Sequence, residues 1–144
     1  MSPKKALLAG LVLTVLATAA PLVNLMTVDS IGDHVRSAYP DWSAADVSKD
    51  RTAITAYLVV VGVLGLVGWL TTLAGVSRGK RWTRWVGTTL FAVGATVALI
   101  DVSVGGEAYK TIVPPFHGTL GLLPALAGLV AVVALWRRPV SSRT

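Results

Sequence analysis

The sequence predicts an all-α membrane protein, a bundle of four transmembrane helices forming two outward-closing hairpins, with a short extracytoplasmic helix extending the second span. Three observations carry that expectation. Apolar runs occupy about residues 6–28, 54–76, 85–104 and 115–136, each close to the roughly 20 residues a helix needs to cross a hydrocarbon core. The chain is 53% hydrophobic and 14% charged, with a mean hydropathy of +0.68, which leaves too little polar surface for a soluble domain of this size. Its charges are also segregated. All seven carboxylates (Asp29, Asp33, Asp41, Asp46, Asp50, Asp101 and Glu107) fall in or beside two of the gaps between runs, and nine of the thirteen Lys and Arg crowd the other gap and the two ends.

This segregation sets an orientation, because short cytoplasmic loops of membrane proteins carry the excess of positive charge. Lys4 and Lys5, the group Arg78, Lys80, Arg81 and Arg84, and then Arg137, Arg138 and Arg143 mark the cytoplasmic side. Residues 1–144 are thus expected to form a single integral domain of the cytoplasmic membrane. Both termini and loop 77–84 lie inside, and loops 29–53 and 105–114 outside. The net charge of +6 does not point to nucleic acid, since the cations flank apolar runs instead of lining one soluble face. Anionic phospholipid headgroups of the bilayer are the expected counter-charge. The absence of cysteine excludes disulfides, thiolate nucleophiles and iron–sulfur ligation.

The first run follows two lysines and contains Ala17-Thr18-Ala19, which resembles a small-residue cleavage site for a secretory signal. Its apolar character continues through Pro21, Leu22, Val23, Leu25, Met26 and Val28, longer than a signal core, so a span is expected. Gly10, Thr14 and Thr18 follow one another at i+4, the small-xxx-small spacing that lets membrane helices approach closely. Pro21 in this run and Pro124 in the fourth each remove a backbone hydrogen bond and kink their helices. With Asn24 they suggest a polar vestibule in the outward half.

The outer loop carries a helix start. Ser43 is placed to cap the N–H of Asp46, Asp46 takes the usual Glu or Gln position of a capping box, and Trp42 is placed to staple onto Val47. Nothing interrupts the helix from Ala44 to Val76, so this outer segment should run straight into the second span. A rigid extracytoplasmic cap is the simplest reading.

Between spans two and three, Arg78, Lys80, Arg81 and Arg84 alternate with Trp82 and Trp85, and Trp136, Arg137 and Arg138 end the fourth run. These residues form an interfacial anchor for anionic lipid, with Trp69 and Trp136 extending an aromatic belt. Within the membrane, Gly62, Gly65 and Gly68, then Gly87 and Gly94, then Gly121 and Gly128 are expected to carry helix packing. They serve either within the chain or in a homo-oligomer or membrane-protein partner. The repeated pattern of a glycine-punctuated span followed by tryptophan and cations also suggests a parallel internal repeat.

Residues with chemical potential gather on the outer side: His34, Asp101, Glu107, Tyr109 and His117. Imidazole and carboxylate suit a divalent metal, but no His-Glu-x-x-His or paired-histidine spacing is present, so no metal and no cofactor is expected. A nucleophile-elbow serine and a glycine-rich phosphate loop are also missing, and no catalytic residue is assigned. The segments Tyr39-Pro40-Asp41-Trp42-Ser43-Ala44-Ala45-Asp46, Arg78-Gly79-Lys80-Arg81-Trp82-Thr83-Arg84-Trp85, and His117-Gly118-Thr119-Leu120-Gly121 through Gly128 resemble a group of small uncharacterised four-helix integral membrane proteins of high-GC Gram-positive bacteria. The resemblance covers nearly the whole chain and implies the same topology, with no activity or site residue attached. A non-enzymatic accessory or oligomerising module that binds a membrane partner or lipid is the leading expectation. A permeation subunit with a polar path through Asn24, Thr27, Tyr57 and Asp101 is the alternative, and an outward-facing metal-binding or enzymatic site is the second.

Overall fold

The computed structural model describes residues 2–105 and 109–137. Five helices follow in order: α1 Pro3–Met26, α2 Ser30–Ala38, α3 Ala44–Ser77, α4 Thr83–Ser103 and α5 Pro115–Arg137. Four of them, α1, α3, α4 and α5, are long and apolar enough to cross a membrane. In lipid a chain must satisfy its backbone polar groups within each segment, and these helices do so through their own ladders except at Pro21 and Pro124, which have no N–H to donate. Glu107, Arg138 and Arg143 lie outside the described residues.

Ser2 and Ser43 start α1 and α3 by accepting from the N–H groups of Lys5 and Asp46. The expected cap at Ser43 is therefore present. The ring of Trp42, expected against Val47, stacks on Tyr39 at 3.8 Å between centroids, while Val47 is buried with Ile31, Val35 and Ile54. At about 1.5 Å per residue, the 34 residues of α3 reach about 50 Å. That exceeds the roughly 30 Å hydrocarbon thickness by several turns, so α3 projects beyond the spans as one helix. It stops in a Schellman turn, with Lys80 N–H bonding to Gly75 O and Gly79 N–H to Val76 O. Gly79 takes a φ of 66°, where a residue with a side chain is strained.

Helix α2 is an element that the hydropathy pattern does not announce. Asn24 near the end of α1 builds it: its carboxamide oxygen accepts from Ile31 N–H at 3.1 Å and its amide donates to Ser30 Oγ at 2.6 Å. Asp29, with a φ of 48°, caps Gly32 N–H and takes an ion pair from Arg51 at 3.0 Å. The buried Ile31 and Val35, one turn apart, then pack on Val47 and Ile54 of α3. This is the core between α2 and α3.

A second core forms at the opposite end from Ala6 and Leu7 of α1, Val76 of α3, and Ala131 and Leu135 of α5. The start of α1 and the ends of α3 and α5 therefore share one end of the bundle, the end that carries Lys4, Lys5, Arg78 and Arg137. Around the bundle α1 packs against α3 and α5, α4 packs against α5, and α3 touches α4 only sparsely. The diagonal pairs face each other across the centre.

Candidate functional site

Small residues line the inside of this ring. A β-carbon placed on Gly62 would collide with Thr18, and one on Gly65 would sit 3.3 Å from Thr14. The Gly10/Thr14/Thr18 stripe of α1 is thus the packing partner of the α3 glycines, close enough to seat helix on helix. Thr14 and Thr18 return their hydroxyls to Gly10 O and Thr14 O, both at 2.7 Å, and so bring no unsatisfied polarity into the interface. On the far side, Gly87 faces Leu135 and Gly128 faces Phe91. Gly94 and Gly121, by contrast, have nothing within 4 Å of the point where a β-carbon would stand.

The space in front of them is a cavity of about 330 Å³ walled by all four spans. Its lining is almost wholly apolar through the middle, with Leu90, Val97, Ala98, Gly94, Gly121 and Ala125 among the residues that bound it. Asp101 of α4 and His117 of α5 line it at the end away from the basic residues. Both are buried, at 8% and 5% exposure. Tyr57 of α3 donates its hydroxyl to Asp101 at 2.7 Å, tying α3 to α4 across their thin seam. Neither ring nitrogen of His117 has a hydrogen-bond partner among the described residues. A buried polar group left without a partner costs about 1–3 kcal/mol, so His117 is the most conspicuous unsatisfied group in the bundle. No Lys or Arg among the described residues lines the cavity.

At its basic end, Trp69 reaches inward over Gly10, and Gly128 leaves room beside it. The indole packs on the core formed by Ala6, Leu7 and Val76. Trp69 is therefore an internal wall of the cavity and not the belt residue its position in the sequence suggests.

The chain matches no family model, no curated protein and no solved structure.

The polar residues at the α2 end of the bundle fall into two groups. His34 donates from Nε2 to Thr111 O at 3.0 Å and stacks on Tyr109 at 5.1 Å. Tyr109 meets Tyr39 edge-on and donates its hydroxyl to Asp50. This group locks the segment after α4 onto α2 and the projecting part of α3. Asp101 and His117 form the other group, at the cavity. No three His, Asp or Glu side chains among the described residues converge as a metal-binding group.

Of the residues expected along a polar path, only Asp101 lines the cavity. Asn24 is committed to α2, and Thr27 bonds back to Val23 O at 2.7 Å.

Three residues of the aromatic–basic set, Arg84, Trp85 and Trp136, meet one another. Trp85 meets Trp136 edge-on at 5.1 Å, Arg84 lies 5.4 Å over the Trp136 ring, and the Trp136 indole donates to Thr88 at 2.8 Å. Trp82 packs beside Gly75 at the Schellman turn.

The pairing of Asp101 with His117 at one cavity is not evident from the sequence, although a signal is present. On α4 the series Gly87, Leu90, Gly94, Ala98, Asp101 advances by three or four, as does His117, Gly121, Ala125, Gly128 on α5. Each row ends, away from the basic end of the bundle, in a polar group on the same helix face.

Proposed function

We propose that this protein is a non-enzymatic module of the cytoplasmic membrane, with both termini inside, that holds a lipid-class ligand among its four spans. The cavity carries this reading. It is apolar along its length, bounded by every span, and its volume lies at the lower end of the roughly 300–1,000 Å³ typical of small-molecule sites. The glycines expected at an oligomer interface meet Thr18, Thr14, Leu135 and Phe91 of the same chain or face the cavity, which favours an internal ligand over a second copy. Lys and Arg gathered at one end support the orientation. The cluster of Arg84, Trp85 and Trp136 suits anionic headgroups at that surface.

The test is isolation of the protein in native lipid followed by mass spectrometry of what remains bound after extensive washing. One lipid class should stay with the wild type at defined stoichiometry and be lost from Gly94→Leu, whose new side chain fills the cavity. Retained lipid that mirrors the bulk membrane, equally in both proteins, would sink the reading.

A further inference from the structure

We propose that the bundle opens sideways into the bilayer between α3 and α4, and that the Tyr57–Asp101 hydrogen bond is the clasp that holds this side gate shut. The opening shows in the exposure of the cavity's own walls. Of the described residues that line it, the exposed ones are Leu64 on α3 and Leu90, Val93 and Gly94 on α4, with Leu64 66% and Val93 58% exposed. A side chain that lines the interior and also faces outward stands at the rim of an aperture. No described residue of α1 or α5 does both, so the aperture belongs to the α3–α4 seam.

The register of the two helices sets its size. Toward the basic end they touch closely: a β-carbon on Gly75 would collide with Thr83, one on Gly87 would sit 3.4 Å from Thr72, and one on Gly68 would sit 3.4 Å from Leu90. Antiparallel helices that bring 68 to 90 also bring 57 to 101, eleven residues farther along each. The stretch between these two contacts is about 16 Å long at the helical rise. Within it, Gly94 has nothing within 4 Å of the point where a β-carbon would stand. Tyr57 closes its far end by donating to Asp101 at 2.7 Å.

The two sides of the gate are seated on different neighbours. Helix α3 rests on α1 at Gly62 and Gly65 and on α2 through Ile54, whereas α4 rests on α5, where a β-carbon on Gly118 would lie 3.1 Å from Val102. The turn at 78–82 joins α3 to α4 at the basic end and is the hinge. At the opposite end, His34 and Asp50 hold Thr111 and Tyr109 of the segment after α4. Among the described residues, the side-chain hydrogen bond between α3 and α4 themselves at that end is Tyr57–Asp101. Hydrocarbon offers neither group another partner, which favours the shut state. One interhelical hydrogen bond in a membrane nonetheless shifts an equilibrium only about threefold to tenfold, so thermal motion suffices to open the gate. It gives the interior an entrance level with the hydrocarbon, and it stands whatever the interior holds.

Because the chain has no cysteine, paired nitroxide labels test the gate in the full-length protein in lipid nanodiscs. Val60→Cys with Leu99→Cys brackets the clasp at two exposed positions, and Leu70→Cys with Thr89→Cys brackets the hinge end. In distances measured by double electron–electron resonance, Tyr57→Phe should raise the long-distance fraction of the clasp pair about threefold to tenfold and leave the hinge pair unchanged. Asp101→Asn, which keeps an oxygen to accept from Tyr57, should stay close to the starting distribution. A single label at the cavity-lining Val97, introduced through Val97→Cys, reports what the gate opens onto. Tyr57→Phe should raise its collisions with oxygen dissolved in the bilayer but not with a water-soluble nickel chelate. An unchanged clasp pair in Tyr57→Phe, equal lengthening of both pairs, an Asp101→Asn protein as open as Tyr57→Phe, or a rise in nickel-chelate collisions overturns the proposal.

Discussion

Asp29 concentrates several duties at the start of α2. It caps Gly32 N–H, pairs with Arg51, and adopts a left-handed backbone with a φ of 48° that Asp tolerates better than most residues. Asp29→Ala removes the cap and the ion-pair acceptor while keeping the strained backbone, and should destabilise the protein by about 1–2 kcal/mol in thermal unfolding followed in detergent. Arg36 offers the contrast, since its partners are the same Asp29 and Asp33 but more than half of its side chain is exposed. Arg36→Ala should change stability by no more than about 0.5 kcal/mol in the same measurement. Buried Asn24 resembles Asp29. Asn24→Ala strips Ile31 N–H of its acceptor and should cost about 1–3 kcal/mol, accompanied by faster protease cleavage between α1 and α3. None of these roles can be read from residue type. A polar Asn24 in an apolar run suggests a vestibule; its actual partners lie across a turn that the sequence does not reveal.

Among the elements, the four spans are legible because length and hydropathy alone decide whether a helix can cross a bilayer. The boundaries at Ala44 and Pro115 are also visible, through the Ser43 cap and the Pro114-Pro115 pair. Helix α2 is not, since nine residues are too few to form a helix without tertiary packing. Its signs are nonetheless written: Asp29 at the cap, Asp33 in the first turn, Arg36 in the last, and Ile31 and Val35 one turn apart. The glycines of the spans are not equivalent, and their differences are testable. Gly62→Leu drives a side chain into Thr18 and should destabilise the α1–α3 pair by about 1–3 kcal/mol, whereas Gly94→Leu enters open space and should leave the melting temperature nearly unchanged. Gly79→Ala retains the fold but should cost about 1 kcal/mol through its positive φ.

At the level of the whole molecule, one buried core ties α1, α3 and α5 at the basic end, another ties α2 to α3 at the opposite end, and a partly open hollow lies between the four spans. Hydropathy cannot foretell the hollow, because a void depends on which way small residues face and on diagonal helices failing to meet. The orientation, by contrast, is a property of the entire charge pattern. A chain with no native cysteine makes it simple to check. Asp41→Cys should react with a membrane-impermeant maleimide in intact cells, and Lys80→Cys only after permeabilisation; the reverse pattern would invert the assignment. The position of Trp69 has an optical consequence. Of the other four tryptophans, Trp82, Trp85 and Trp136 are exposed at the basic end of the spans and Trp42 is exposed at the start of the projecting part of α3, while Trp69 alone borders the internal space. With those four replaced by phenylalanine, its fluorescence becomes an intrinsic gauge of cavity occupancy. A brominated chain drawn into the bundle should quench it, and the protein would then report its own filling without an attached dye.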